Sequence, residues 1–303
     1  MNMRTAYVKG RTLLSQALRR HYYSEEEKLL LGRSLSAMIR NGGVRSLKDA
    51  EFKVFSQWGD DGLIQYLVST LDIANEYFVE FGVEDYRESN TRFLMMNNNW
   101  SGMVMDASPK NIEAIVHSEY FWKYELKATC AFIERGNINE LLVEAGVGGE
   151  IGLLHIDIDG NDYWIWDAIE VVDPVIVIVE YNSVLGIDRA ITIPYQEAFT
   201  RTTAHFSNLF YGTSLKALGH LAGRKGYAFV GCNRAGNNAY FVRRDKLNPR
   251  VGEMAVEEGF VQSKFRESRD KNGELTYLSG GERIRAIRGL KVFNVITGAA
   301  EVL

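Results

Sequence analysis

Carboxylates recur where short apolar runs give way to polar residues: Glu80-Phe81-Gly82-Val83-Glu84, Asp106, Asp157-Ile158-Asp159 and Glu180-Tyr181-Asn182. Glu80 suits a cationic group, such as the ammonium or sulfonium of S-adenosylmethionine (SAM). Gly82 permits close approach to a ligand, or simply turns the chain. A carboxylate at Asp106 can accept both hydroxyls of a ribose. It could also cap the helix that Pro109 opens, although Ser108 is available for that task. Ser89, Asn90, Ala107 and Ser108 join the cofactor-binding set. Ala131 and Phe132 would meet an adenine edge, or pack in the core.

Asp157 and Asp159 point to one side if their strand persists. Two close carboxylates repel unless a proton or cation lies between them. Asp157 therefore counts both as a cofactor contact and, with Asp159, as a catalytic candidate. Asp157, Glu180 and Asn182 offer oxygen ligands for a hard cation such as Mg²⁺, which would acidify an acceptor hydroxyl. Without metal, Asp159 or His205 would serve as general base. His205 stands in Arg201-Thr202-Thr203-Ala204-His205-Phe206, within a long irregular segment, and is as readily structural. His21, His117 and His220 lack comparable company. Asn161 or Asp162 is expected to cap a helix; Tyr163, Trp164 and Trp166 would stack on a sugar or aromatic acceptor or, as helical spacing favours, pack in the core.

The elements that must position these groups follow from periodicity. Strands are expected over 77–81, 102–106, 126–132, 151–158 and 174–179, with helices over 89–97, from Pro109, and over 137–143 and 161–169. Alternating strand and helix implies parallel βαβ units, and continuous apolar strands imply a sheet covered on both faces. The fold class is thus α/β, a Rossmann-like, doubly wound, mainly parallel sheet. The segment 182–212 is long and loop-rich, which usually marks function. A helix over 213–225 and a hairpin of strands 227–231 and 239–242 follow, turning through Asn233, Gly236, Asn237 and Asn238. Five parallel strands, a helix and a hairpin resemble the strand programme of class I methyltransferases.

Before this core, residues 1–70 read as helical. Leu13, Leu14, Leu18, Leu29, Leu30, Leu35, Met38 and Ile39 fall near helical spacing. Ser24 with Glu25, Glu26 and Glu27 starts one helix, Asn41-Gly42-Gly43 stops it, and Asp60-Asp61-Gly62 starts another. The expected division is a helical segment 1–70, a SAM-binding domain 71–245 and a packed extension 246–303.

With 303 residues, 46% hydrophobic and 24% charged, the chain is an ordinary globular one. Its net charge of −4 and lack of a basic stripe argue against nucleic acid as partner. Cys130 and Cys232 make no disulfide framework or zinc spacing and read as buried thiols. No apolar run approaches the roughly 20 residues that span a bilayer, and no signal peptide stands out, so a cytoplasmic protein is expected. Arg4, Lys9, Arg11, Arg19 and Arg20 form a solvated face or a peripheral membrane contact. The helical N-terminus offers a route to a homo-oligomer.

Glu80-Phe81-Gly82, Asp106-Ala107-Ser108, Asn137-Ile138-Asn139 and Ile156-Asp157-Ile158-Asp159-Gly160 resemble the motifs of FkbM-type SAM-dependent methyltransferases. Phe55-Ser56-Gln57-Trp58-Gly59-Asp60-Asp61-Gly62 resembles the segment preceding their core. The likeness covers about residues 50–245. It implies a Rossmann-like core, cofactor contacts at Glu80, Gly82, Asp106 and Asp157, and O-methylation, often of sugars or glycosylated natural products, as in surface-polysaccharide or natural-product biosynthesis. The chain departs in a first loop poorer in glycine, and in Asp159 where many members carry glutamate. Metal-dependent catechol-type enzymes are similar in pairing an aspartate after strand four with Asp-Asn after strand five, but here Tyr181 interrupts that pair. Two other classes remain open: a nucleotide-dependent oxidoreductase, which needs a phosphate-binding turn, and a non-catalytic SAM-binding module.

Overall fold

Strand residues of opposite parity bury on opposite faces of one sheet, and this alternation organises the molecule. A computed structural model describes residues 24–303. Leu13, Leu14, Leu18, His21 and the basic residues from Arg4 to Arg20, for which the sequence sets expectations, lie outside that range. Strands β1 (Tyr77–Phe81), β2 (Ser101–Asp106), β3 (Leu126–Cys130), β4 (Gly149–Ile156) and β5 (Val172–Glu180) are parallel. β6 (Ile191–Thr192) leaves this sheet, which β7 (Tyr227–Cys232) and β8 (Asn238–Arg243) complete. The seven strands run β3-β2-β1-β4-β5-β8-β7, and β8 alone runs opposite to the other six. This is the Rossmann-like, doubly wound arrangement that the alternating pattern predicts.

Eleven helices accompany the strands among the described residues: α1 (Glu25–Arg40), α2 (Asp60–Thr70), α3 (Arg92–Asn98), α4 (Pro109–Val116), α5 (Glu119–Lys123), α6 (Ile138–Glu144), α7 (Asp162–Ala168), α8 (Arg201–Ala204), α9 (Leu215–Lys225), α10 (Val256–Gly259) and α11 (Gly281–Ala286). On one face Val79, Leu154, Val177 and Phe241 meet Leu142 of α6, Ile165 and Trp166 of α7, and Leu218 of α9. On the other, Phe78, Leu153, Ile176 and Tyr240 meet Leu63, Ile64 and Leu67 of α2, Leu94 of α3 and Ile115 of α4. The helix begun by Asp60-Asp61-Gly62 thus covers the sheet itself. Tyr163, Trp164 and Trp166 are buried core, as their helical spacing suggests.

Helix α1 starts in a capping box, in which Ser24 and Glu27 each bond the other's backbone N–H. Its packed face uses Gly32, Ser36 and Ile39, while Leu30, Leu31, Leu35 and Met38 lie exposed. A Cβ on Gly32 would stand 2.6 Å from Val54, so the small residue sets how closely α1 can seat.

The C-terminal segment folds back onto the loop-rich stretch after β5. β9 (Lys291–Asn294) pairs with β6 and with β10 (Ala299–Val302), forming a second, three-stranded sheet. Beneath it Leu185, Ile191, Ile193, Leu209, Ile287 and Val292 form a separate apolar cluster. Among the described residues, no helix is long and apolar enough to cross a membrane. Cys130 is exposed rather than buried, because β3 is the sheet's edge. Cys232 is half-buried, and burial pushes its thiol up to about 12.

Candidate active site

Strand order reverses between β1 and β4, so the chain leaves their carboxyl ends in opposite directions and opens a crevice there. A cavity of about 670 Å³ occupies this place. Its wall includes Glu80, Gly82, Ser89, Asn90, Asp106, Ala107, Ser108, Ala131, Phe132, Asp157, Asp159 and Glu180. The positions expected from separate strand ends therefore converge on one space. His205 and Asn182 are not on that wall.

Gly82 has φ +72°, and a Cβ there would lie 1.7 Å from the Asp157 carbonyl oxygen. The close approach this glycine permits is between the loops after β1 and β4. Glu80 does not hold its charge free for a ligand, contrary to the sequence expectation. Its carboxylate accepts from the Ser89 hydroxyl (2.6 Å), the backbone of Asn90 (2.9 Å) and Thr91 (3.1 Å), the Thr91 hydroxyl, and His155 Nδ1 (3.0 Å). Burial opposes that charge, but His155 and the hydroxyls outweigh it and hold the carboxyl below its ordinary range. Burial acts to lower the His155 imidazole, and Glu80 overcomes it, so the net direction is upward. Glu80 thus pins the 89–91 turn against β4. His155 was not singled out in the sequence, since only the β1–β4 register reveals Glu80 as its cross-strand partner.

Asp106 ends β2 at the cavity's edge. One carboxylate oxygen accepts from Ser108 N (2.8 Å) and Asn111 Nδ2 (2.9 Å), the other from Glu84 N (2.9 Å). Three of about four acceptor positions are filled, leaving room for one further donor rather than two. Ser108, not Asp106, caps α4 by accepting from Asn111 N. Phe132 is exposed at the cavity's rim.

β4 ends at Ile156, so the alternation that would align Asp157 with Asp159 does not continue. Asp159 turns outward at φ +55° and pairs with Arg201 Nη1 at 2.9 Å. Asp157 accepts no hydrogen bond from the described residues. Burial, then the Asp159 charge, push its carboxyl up to about 8. Ile156 pairs with Val179, so Asp157 and Glu180 leave the sheet side by side. Glu180 is also without a protein donor, its Oε2 fully covered, and burial with the Asp157 charge raises its carboxyl well above the usual range. Asp162 is held by the N–H groups of Ile158 and Gly160, both at 2.9 Å, and fixes the turn into α7. Asn161 occupies the cap position but makes no side-chain cap bond.

Two expected roles fail on geometry. The Asn182 side chain donates to Leu209 O (2.9 Å) and Tyr211 O (3.0 Å) and accepts from Val184 N (3.0 Å). It is spent on the turn after β5, so Asp157, Glu180 and Asn182 do not form a cation site. The described residues hold no cluster of three or more histidine, cysteine or acidic side chains arranged for a metal. His205 Nδ1 bonds the Ser207 hydroxyl (2.8 Å) and its ring packs on Phe206. Burial lowers its imidazole, and it orders the loop rather than facing the reacting space.

Arg201 stands out in the sequence only as a near neighbour of His205. Its guanidinium joins Asp159, Asn208 O (2.7 Å) and Glu267 (3.5 Å), and stacks on the Tyr211 ring at 4.0 Å. It thereby ties the β4 loop, the long loop and the C-terminal segment together over the cavity. No local pattern signals this, because its partners are scattered through the sequence.

The fold and site define an α/β protein with a strand-end crevice lined by carboxylates. No protein-family model matches the sequence, and no curated protein does. Among solved structures, the chain is similar to the pyocyanin biosynthetic protein PhzM at 13% identity and a TM-score of 0.36, over 57% of this chain and 52% of that one. It is similar to an O-methyltransferase from Bacillus cereus in complex with SAH at 11% identity and a TM-score of 0.36, over 77% and 87%. An O-methyltransferase family protein from Burkholderia thailandensis gives 8% and 0.38, over 73% and 58%. The chain thus spans about half of the first of these proteins. At such scores the fold assignment rests on the strand order itself.

Proposed function

We propose that the chain is a SAM-dependent O-methyltransferase acting on a small polyhydroxylated acceptor such as a sugar. The carrying observation is the charge of the cavity. Its wall bears eight acidic side chains (Glu80, Glu84, Glu88, Asp106, Asp157, Asp159, Glu180 and Glu267) against one arginine, Arg201, and one histidine, His155; burial raises Asp157 and Glu180, so these two gain their charge as a cation enters. Such a wall favours a cationic ligand and repels a pyrophosphate. The turn after β1 places Glu84, not a run of glycines, where a dinucleotide would need its phosphates cradled. A nucleoside carrying a sulfonium and an ammonium, and no phosphate, fits this chemistry.

Asp106 offers its remaining acceptor position to a ribose hydroxyl, beside Ala107, Ala131 and Phe132 for the base. Held there, SAM would supply an electrophilic methyl for an acceptor oxygen, with its sulfur as the leaving group. Asp157 in its carboxylate form takes the proton of the acceptor hydroxyl. Asn208, Asn237, Thr200, Thr202 and Gln57 provide neutral polar groups on the same wall, suited to orienting a polyol.

Calorimetric titration tests this reading. SAM is expected to bind and NAD(H) is not. Asp106→Ala is expected to weaken SAM binding by roughly 10- to 100-fold, the worth of a lost charge-assisted hydrogen bond and its rearranged turn. Binding of NAD(H) in preference to SAM, or equal SAM affinity in the variant, would overturn it.

A further inference from the structure

Glu180 and Asn238 are cross-strand partners at the rim shared by β5 and β8, and both line the cavity. Each is more than nine-tenths buried. Glu180 Oε2 and Asn238 Oδ1 receive no hydrogen bond from the described residues. The orientation of the Asn238 amide is fixed by chemistry. Its Nδ2 donates to the Asp60 carboxylate at 3.1 Å, which can only accept, so the oxygen is the unanswered end. Asn161 Oδ1, on the same wall, is a third acceptor without a donor. Arg201 is a counter-charge felt at Glu180, but it bonds Asp159, Asn208 and Glu267 instead.

The deficit is therefore one-sided. With Glu180 ionised, buried acceptors outnumber donors, and leaving each unanswered costs about 1–3 kcal/mol. A hydroxyl of the acceptor brings one donor and two further acceptor lone pairs. A primary ammonium brings three donors, no acceptor and a positive charge. We propose that the rim beyond β4 is a subsite for a primary ammonium group, held by Glu180 and Asn238, and that the acceptor is an amino-bearing polyol. The inference rests on the methyltransferase reading for the identity of the occupant. The nucleoside crevice opens between β1 and β4, whereas Glu180 stands one strand further along, toward the antiparallel hairpin. The ammonium is thus assigned to the acceptor and not to the methionine part of SAM. Burial and the Asp157 charge, which raise the Glu180 carboxyl when the site holds no cation, would be opposed by the ligand's charge.

The test uses the full chain saturated with S-adenosylhomocysteine, titrated with glucosamine and with glucose at a pH where the sugar amine is charged. Glucosamine is expected to bind about tenfold or more tightly than glucose, the worth of one charge-assisted hydrogen bond. Glu180→Gln, nearly isosteric, should erase that preference and leave S-adenosylhomocysteine affinity within about twofold, with an unchanged thermal midpoint as the folding control. Equal binding of the two sugars, or binding of neither, overturns the subsite. A preference that persists in Glu180→Gln moves it away from Glu180. Loss of S-adenosylhomocysteine affinity in that variant would assign the ammonium to the cofactor instead. Failure of the wild-type chain to bind S-adenosylhomocysteine at all sinks the methyltransferase reading, a result distinct from the others.

Discussion

At the residue scale, the site is governed by which carboxylates the protein itself satisfies. Glu80 has five donors, Asp106 has three, and Asp157 and Glu180 have none. A carboxyl without donors in a poorly solvated place holds its proton, which is the physical origin of the Asp157 value of about 8. Its basic form grows as pH rises. We expect kcat/KM to climb about tenfold per pH unit and level off near 8. In kcat the midpoint should move lower, because a bound sulfonium favours the carboxylate. Asp157→Asn should reduce turnover by about 10²- to 10⁴-fold and abolish that ascending limb. A variant with the wild-type pH profile would remove Asp157 from proton transfer. The residue types were legible in the sequence, and their division of labour was not. Glu80 and Asp157 both follow apolar runs, yet His155 and the 89–91 turn claim only the first.

Among the elements, the strand ends and their loops decide how the carboxylates meet. β1, β2, β4 and β5 were readable because most of their buried residues are apolar, and in β5 β-branched, as in Val175-Ile176-Val177-Ile178-Val179. Their ends were less so. β4 stops two residues before its expected limit, since Asp162 captures the N–H groups of Ile158 and Gly160 and turns the chain. The junction of the β1 and β4 loops depends on Gly82. Gly82→Ala would force an L side chain into positive φ and against the Asp157 carbonyl. The expected loss is at least about 2 kcal/mol in urea unfolding, with weakened SAM binding, since the loop after β4 must withdraw. An unchanged urea midpoint together with full SAM affinity would contradict this account of the junction.

For the whole molecule, the C-terminal residues complete a structure that begins after β5. Ile191 and Thr192 have no partner strand within the main sheet, and β9 supplies it. Ile287 and Val292 close the cluster beneath. Removing residues 281–303 should leave the seven-stranded sheet folded but expose the segment 186–210 to protease. We expect cleavage there at least about tenfold faster than in the full chain, by limited proteolysis and mass spectrometry. Equal protection in both chains would show that the loop orders itself.

The sequence alone determined what is periodic or local. Apolar runs set the strands, caps such as Ser24 and Ser108 set helix starts, and the alternation of strand and helix set a doubly wound sheet. It also determined that acidic residues would crowd the strand ends, because strand succession carries that information. Only the tertiary structure decided which acids remain unanswered. Their partners (His155 for Glu80, Arg201 for Asp159, Asn238 beside Glu180) are distant in the chain and joined by sheet register and loop packing. For the same reason only the folded chain could show that Asn182 is spent on the loop, since the Leu209 and Tyr211 carbonyls to which it donates lie 27 and 29 residues along the chain.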